Sequence, residues 1–287
     1  MKPSSFGYAA PASTDEALEL LAQVGQDAKV LAGGQSLLPM LNMRLAAPGY
    51  LVDINRIADL SYVRVEDGGV RVGAVARHAD VERSAAAFDV LPLLRQALQL
   101  VAHPVIRNRG TTVGSLAHAD PSGEMTAVLA LTGGSVEVAR LGSSRVVSAT
   151  DFFLGPLESA CAAGELAVSA FFPALPAGTG STFIEVARRH GDYAVCGVAA
   201  VVTLDAAGAV TSARAAYISV APTPLVLDLT STVAGASVAD ADWSAAAELA
   251  RSLTEPEADI HATADYRSHL VGVLTRRALA QAAERAA

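Results

Sequence analysis

The pattern of hydrophobic and polar positions predicts a strand, a glycine turn and a helix early in the chain. Ser13 and Glu16 have the spacing of a helix-capping box, and the apolar stripe that follows them predicts a helix ending near Gly25. The glycine turn lies between a short apolar run and a segment of helical spacing. The elements predicted after the first helix are a buried strand at 29–32, a helix at 37–45 and a strand at 50–54.

The middle of the chain predicts a hairpin followed by several helices. Valines alternate with charged residues on both sides of Asp67-Gly68-Gly69, which is the pattern of a β-hairpin over 62–75. Pro104 is expected to end a helix, residues 107–115 lack helical periodicity, and Asp120 is expected to start the next helix. The other predicted elements are helices at 79–88, 91–101 and 120–131 and strands at 136–139 and 167–171.

A stretch rich in proline and glycine, from Pro173 to Gly180, is the best candidate for a linker. Strand-like runs come first after it and alanine-rich helical segments last, so the chain is predicted to be of the α+β class. We expect a domain of residues 1–175, with two α/β subdomains at about 1–55 and 56–175, and a smaller domain of residues 176–287. The elements of the second domain are three strands of one antiparallel sheet at 182–187, 193–204 and 213–220 and helices at 243–253 and 263–286.

Composition narrows the possible functions. The 287 residues carry 21 lysines and arginines against 29 acidic residues, and this net charge of −8 disfavours a nucleic-acid or anionic-membrane partner. No apolar N-terminal segment resembles a signal peptide, and the longest apolar run, 194–204, is too short to span a bilayer. A cytoplasmic protein without membrane insertion is therefore expected. The two isolated cysteines, Cys161 and Cys196, cannot hold an iron–sulfur cluster, which needs about four thiolates.

Two short loops are candidates for ligand binding. The segment from Ala32 to Ser36 contains two glycines between strand and helix, and such a turn lets a phosphate approach backbone N–H groups. The chain has neither a Walker A loop nor a G-x-G-x-x-G fingerprint, so this turn alone does not identify a nucleotide site. The second loop, from Thr111 to Glu124, is rich in hydroxyl groups. It also contains His118 and Asp120, but their spacing is not specific for a metal and no nucleophile elbow accompanies them.

The two loops, present together and in this order, point to a known family. The segments KVLAGGQSLLPMLNMRL, VIRNRGTTVGSLAHADPSGE and ARRHGDYAV closely resemble the FAD-binding medium subunit of molybdenum hydroxylases, the relatives of carbon monoxide dehydrogenase and xanthine dehydrogenase. The resemblance spans essentially the whole chain. It implies a two-part FAD-binding domain of the PCMH type, a C-terminal domain of the carbon monoxide dehydrogenase flavoprotein type, and FAD as the cofactor of this chain.

The resemblance also implies which residues contact FAD. The first loop would line the pyrophosphate, Glu124 would accept hydrogen bonds from ribose hydroxyls, and Leu166 would pack near the isoalloxazine ring. Tyr193 would cover one face of that ring, although an ordinary core tyrosine is an equally open interpretation. No residue of this chain is expected to act in acid–base catalysis or to bind a metal. The implied FAD contacts are Val30, Leu31, Ala32, Gly33, Gly34, Gln35, Ser36, Leu37, Val101, Ile106, Thr111, Gly114, Ser115, His118, Asp120, Glu124, Leu166 and Tyr193.

One position of the second loop departs from the family pattern. Val113 stands where the first of two glycines is usual. If this position requires a positive φ, a β-branched residue there is strained by about 1–3 kcal/mol. Alternatively, the loop is tilted so that Val113 is extended.

The resemblance further implies a multi-subunit enzyme. A large partner subunit would oxidise the substrate, an N-heterocycle or another small organic molecule, at a molybdenum cofactor. A small subunit would carry two [2Fe-2S] clusters, and this chain would pass electrons through FAD to an external acceptor in a dimer of heterotrimers. Two alternatives stay open: a self-sufficient FAD-dependent oxidase, and a non-catalytic scaffold subunit that has lost FAD.

Overall fold

The structure is a computed structural model that describes residues 2–287. It contains three main sheets joined by helices. The first part of the chain comprises β1 (Gly7–Ala9), α1 (Thr14–Val24), β2 (Ala28–Leu31), α2 (Leu37–Asn42), β3 (Tyr50–Asp53), β4 (Val63–Glu66), β5 (Gly69–Gly73), α3 (His78–Arg83), α4 (Ala85–Val90), α5 (Pro92–Leu98), α6 (Pro104–Arg107), α7 (Thr112–His118) and α8 (Glu124–Thr132). The second part comprises β6 (Ser135–Arg140), β7 (Ser143–Ser148), α9 (Ala149–Phe152), β8 (Phe153–Gly155), β9 (Glu158–Ser159), β10 (Leu166–Pro173), β11 (Thr179–Ala187), β12 (Ala194–Leu204), β13 (Val210–Ile218), β14 (Leu225–Asp228), α10 (Trp243–Ser252) and α11 (Ala264–Ala286).

The N-terminal sheet is parallel, with the strand order β1-β3-β2. The predicted capping box forms in a modified version: the Ser13 hydroxyl accepts from the Glu16 N–H, whereas the Glu16 carboxylate accepts from the Ala12 N–H. Gly25, at φ 68°, ends the helix as predicted. Because β2 and β3 are parallel, their carboxyl ends meet at one edge of the sheet, and the loops that follow them leave side by side.

The second sheet is antiparallel, with the strand order β4-β5-β10-β6-β7. The predicted hairpin is confirmed, since Val63 lies opposite Val72 and Val65 opposite Val70. Asp67 and Gly68 both have positive φ, 51° and 74°. A turn of two residues with positive φ has a backbone twist that matches the right-handed twist of the two paired strands.

Several helix boundaries differ from the sequence prediction: the predicted helix at 79–88 is divided into α3 and α4 at Ser84, and the predicted helix at 37–45 ends at Asn42. Three further differences have a clear local cause. Pro104 begins α6 instead of ending a helix, because proline has no N–H to offer and suits the first turn. The segment 107–115, which lacks periodicity, contains the start of α7, a helix capped by Thr111 and too short to show a period. Helix α8 begins at Glu124 because Asp120 closes a turn, where its carboxylate accepts from the Ser122 N–H at 2.9 Å.

The C-terminal sheet has four strands, in the order β11-β12-β13-β14, and not the three that we predicted. The additional strand, β14, is only four residues long and follows a proline-rich turn, so its sequence carries little strand pattern. Other short strands, β1, β7, β8 and β9, also lie outside the predicted elements.

Helices cover both faces of the C-terminal sheet. Helices α5 and α8 of the first part pack on one face, and α11 packs on the other with α10 beside it. In β12, Ala199 and Val201 join the core shared with the first part, while Val198, Ala200 and Val202 join the core under α10 and α11. The continuous apolar run of this strand is thus explained by burial on both sides. Within residues 2–287 no helix is long and apolar enough to cross a membrane.

Candidate functional site

The two loops singled out from the sequence lie against each other. A Cβ atom placed on Gly33 would come within 2.5 Å of the Arg109 carbonyl oxygen and 2.7 Å of the Gly110 Cα. A Cβ on Gly114 would lie 3.8 Å from that of Ala32. The loop after β2 and the loop before α7 therefore form one surface, and glycine at position 33 is what allows their close approach.

The first loop offers backbone donors. Within residues 2–287, the N–H groups from Gly33 to Ser36 donate to no other protein group. Gly34 turns the chain at φ 73°, and the Gln35 side chain donates to the Gly33 carbonyl at 3.1 Å. Successive N–H groups left free between a strand and a helix are suited to binding an anion. Val30 and Leu31 end β2, and Leu37 starts α2, so the predicted contact residues frame this loop.

The second loop becomes the first turn of α7. The Thr111 hydroxyl caps it by accepting from the Gly114 N–H at 3.2 Å, and the Ser115 N–H donates to the Thr111 carbonyl at 3.0 Å. Val113 is the second residue of this helix, is 1% exposed, and is not among the positive-φ residues. Both sequence-based expectations for Val113 are therefore wrong: it is neither strained by positive φ nor extended, because the cap at Thr111 places it in a helix.

His118 ends α7, and Asp120 and Glu124 follow it in the same region. His118 Nε2 lies 3.9 Å from Asp120 Oδ2, and burial lowers the pKa of this histidine while the Asp120 charge opposes the shift. Burial raises the pKa of Glu124 to about 7. Glu124 is 9% exposed at the start of α8, where the first and second parts of the chain meet.

A second carboxyl group, which sequence reasoning missed, interacts with Glu124. Burial, followed by the charge of Glu124, raises the pKa of Glu185 to about 8. Within residues 2–287, the buried Glu185 Oε2 has no hydrogen-bond partner. A carboxylate without a partner is costly to bury, so the neutral acid is the favoured form near neutral pH. Its position in the strand β11 gave no sign of this in the sequence.

Tyr193 reaches the same place from the C-terminal sheet. The residue is 66% exposed. Burial raises the pKa of the Tyr193 hydroxyl, as do the charges of Asp120 and Glu124, while the nearby Ser36 side chain opposes the shift. Tyr193 is therefore an exposed residue close to Ser36, Asp120 and Glu124, and it is not an ordinary core tyrosine.

Three predicted contact residues lie at the edges of this site or in the core. The Val101 carbonyl accepts from the guanidinium of Arg107, which also pairs with Glu82 at 2.8 Å. Ile106 lies in α6, and its carbonyl accepts from the Gly110 N–H at 2.7 Å, beside the second loop. Leu166 begins β10 and is 3% exposed, packed in the hydrophobic core. The flavin contacts predicted for these three residues stay predictions.

A polar network that sequence reasoning also missed ties the two loops together. Asn55, just after β3, donates from Nδ2 to the Ala32 carbonyl at 2.7 Å, and its Oδ1 accepts from Arg77 at 2.6 Å. Arg77 in turn donates to the Arg109 carbonyl at 2.7 Å. Asp53 accepts from the Asn55 amide and backbone. Polar residues directly after a predicted strand next to the glycine turn were the available signal, because ligand sites gather at the carboxyl ends of parallel strands.

Family models match nearly the whole chain. Residues 4–175 match the FAD binding domain in molybdopterin dehydrogenase, and residues 181–282 match the carbon monoxide dehydrogenase flavoprotein C-terminal domain. The chain therefore belongs to the FAD-binding medium subunits of molybdenum hydroxylases. Members of this family are subunits of molybdenum-containing oxidoreductases.

Individual relatives of this medium subunit cover its whole length. It is 39% identical to the 6-hydroxypseudooxynicotine dehydrogenase complex subunit alpha of Paenarthrobacter nicotinovorans, over 100% of this chain and 97% of that protein. A structure of carbon monoxide dehydrogenase from Hydrogenophaga pseudoflava superimposes with a TM-score of 0.94, at 38% identity over 100% of both chains. A structure of quinoline 2-oxidoreductase from Pseudomonas putida 86 gives a TM-score of 0.93, at 36% identity over 100% of this chain and 99% of that one.

Proposed function

We propose that this medium subunit binds FAD between its two domains and passes electrons from partner [2Fe-2S] clusters to an external acceptor. The observation that carries the proposal is the convergence of three separate segments. The free N–H groups of 33–36 lie against the capped turn at 111–115, and Tyr193 is close to residues of both loops, although the three segments are far apart in sequence. We take the boundary between the domains to lie near residue 175.

The residues present fit a dinucleotide. The four adjacent N–H groups from Gly33 to Ser36 can donate to a pyrophosphate. A residue larger than glycine at position 33 would push the two loops apart, because its Cβ would collide with the Arg109 carbonyl oxygen. Near neutral pH, Glu124 can accept from or donate to ribose hydroxyls, because its pKa lies near 7. Tyr193 has an exposed ring that can cover a flat cofactor. We propose as contacts the full set of residues implied by the family resemblance, with Val101, Ile106 and Leu166 as its outer members.

FAD supplies one chemical property here, since it takes up electrons singly from iron–sulfur centres and releases them as a pair. The chain itself binds and orients the cofactor. The N–H groups of 33–36 would bind the phosphates, the buried Glu124 would bind the ribose, and no residue needs to transfer a proton to the substrate. On this proposal the substrate is oxidised on another subunit.

The partners that we propose are a large subunit with the molybdenum cofactor and a small [2Fe-2S] subunit, arranged as a dimer of heterotrimers. An N-heterocycle or another small organic molecule is the proposed substrate class. The relatives named for 6-hydroxypseudooxynicotine and for quinoline support it. The similarity to carbon monoxide dehydrogenase is of the same degree, so this subunit does not discriminate between the substrates, and we propose that the large subunit sets the substrate.

An absorption spectrum tests the proposal. The chain is purified alone and together with its co-expressed partner subunits. About one equivalent of flavin per chain, bleached by substrate only when the partners are present, is the expected result. Bleaching by a small substrate with the chain alone would indicate a self-sufficient oxidase. Absence of flavin from both preparations would leave a scaffold subunit and would contradict the proposal.

A further inference from the structure

Ser219 adopts a backbone conformation that is unusual for its residue type. It directly follows β13 and has a φ of 64°, in the left-handed region that disfavours a side chain with a Cβ atom. The residue is 9% exposed and lies where the C-terminal sheet meets the first domain. Strained residues at such places persist only when the surroundings hold them, and they mark candidates for a functional role.

Ser219 bonds to both sides of the proposed FAD site. Its N–H donates to the Pro121 carbonyl at 2.8 Å, and its hydroxyl donates to the Ala194 carbonyl at 2.7 Å. The Ser122 hydroxyl lies 2.8 Å from the Ser219 hydroxyl. Since a hydroxyl has one proton, Ser122 is the donor of this last bond. A single residue thus links the loop of the first domain to the start of β12.

These partners are the neighbours of the site residues. Pro121 and Ser122 lie between Asp120 and Glu124, and the Ala194 carbonyl belongs to the residue after Tyr193. We propose that Ser219 is a positioning residue, which holds the Tyr193 ring at a fixed place against the 120–124 loop. The inference rests on the proposed FAD-binding function and adds a residue that makes no contact with the cofactor itself.

The far side of Ser219 is held by α11. The Arg267 guanidinium donates to the Ser219 carbonyl and pairs with Asp259 at 2.7 Å. Arg267 is 7% exposed, and among residues 2–287 its Nε has no partner, so its donors are directed by these two contacts alone. Arg267 of α11 therefore holds the Ser219 carbonyl, while the N–H and hydroxyl of Ser219 hold the two site segments.

The variant Ser219→Gly separates positioning from stability. Glycine accepts φ 64° without strain and keeps the N–H bond to Pro121, but it removes both hydroxyl bonds. We expect the dissociation constant for FAD, measured by fluorescence titration of the flavin-stripped full chain with FAD, to rise about tenfold. Relief of the backbone strain at φ 64° offsets much of the loss of the two hydroxyl bonds, so the midpoint of thermal unfolding should change by only a few degrees. The fluorescence of bound flavin should also be less quenched, because the Tyr193 ring is less fixed.

Ser181→Ala is the matched control. The Ser181 hydroxyl also joins the two domains, donating to Gln96 Oε1 at 3.3 Å, but Ser181 pairs with Val201, seven residues along β12 from Ala194. That distance is roughly 23 Å. We expect Ser181→Ala to leave the FAD dissociation constant unchanged.

Ser122→Ala provides the second test, because it removes one partner of the same link. Combined with Ser219→Gly it should weaken FAD binding no further than Ser219→Gly does alone. Equal FAD affinity in Ser219→Gly and wild type would overturn the positioning role, as would equal losses in Ser219→Gly and Ser181→Ala. A wild-type chain that binds no FAD would instead overturn the proposed function, and this inference with it.

Discussion

Asn55 gives the sharpest test of how the two glycine-containing loops are held. Replacing it by alanine removes the Nδ2 bonds to the Ala32 carbonyl and to Asp53, and the bond that its Oδ1 accepts from Arg77. A neutral hydrogen bond contributes about 0.5–1.5 kcal/mol net, and one to a charged group about 1.5–3 kcal/mol. Because the site is only half-buried and water replaces part of these bonds, we expect Asn55→Ala to lower the free energy of unfolding by about 2 kcal/mol.

The loss should appear in two assays. For a chain of this size about 2 kcal/mol corresponds to a decrease of roughly 4–8 °C in the midpoint of thermal unfolding. Because Asn55 and Arg77 hold the carbonyls of both loops, the dissociation constant for FAD should rise about tenfold as well. Both values can be measured on the same preparation, by differential scanning fluorimetry and by flavin fluorescence titration.

Tyr8→Phe is the control in the same network. It removes the 2.7 Å bond from Tyr8 to Asp53 but leaves the bonds of Asn55 to Ala32 and Arg77 intact. Tyr8 is 55% exposed, so we expect a loss of under about 1 kcal/mol and no change in FAD affinity. If Asn55→Ala and Tyr8→Phe changed the FAD dissociation constant equally, the network would not be what sets the two loops.

Three further substitutions test other parts of the structure. Gly33→Ala should abolish FAD binding, measured as flavin absorbance per chain, because its Cβ would lie 2.5 Å from the Arg109 carbonyl oxygen. The control Gly155→Ala, which has room for a Cβ, should keep one flavin per chain. Val113→Gly should lower the free energy of unfolding by about 3 kcal/mol in denaturant titration, since it empties a buried helical position, and a gain in FAD affinity at unchanged stability would contradict this. Burial raises the pKa of Glu185 to about 8, above its unfolded value, so its contribution to stability is complete below about pH 4.5 and decreases as the pH rises to 8. Glu185→Gln, which does not ionise, should therefore gain thermal stability relative to wild type between pH 5 and 8, and a constant difference over that range would refute the assignment.

Sequence patterns predicted the elements whose signals are local and repeated. The hairpin at 62–75 combines alternation with a two-residue turn, and the buried run at 194–204 is apolar because both of its faces are covered. Short elements carry no such signal. Helix α7 has seven residues, and its start is fixed by the Thr111 cap and not by any apolar period. The prediction for Val113 was wrong for that reason. It treated residues 111–115 as an irregular loop, whereas the Thr111 cap makes the backbone at Val113 helical.

The tertiary contacts of the site could be predicted only in part. The two glycine-containing loops were identified because each has a recognisable composition, and the structure brings them together. Asn55 has meaning only once β2 and β3 are known to be parallel neighbours, because its amide bonds to the loop after the other strand. Ser219 and Glu185 are less visible still. The role of Ser219 depends on its positive φ, and that of Glu185 depends on its burial between the domains. The neighbouring sequence predicts neither property.

The two raised carboxyl pKa values connect the C-terminal domain to the proposed FAD site. Glu124 begins α8, which packs on β12 and β13, and Glu185 lies in β11 of the same sheet. Each pKa is raised first by burial, so both values depend on how closely the two domains pack. Loosening the link at Ser219 would admit water to this seam and return both pKa values toward 4.5. The titration of these carboxyls in the FAD-free chain should therefore report how closely the two domains pack.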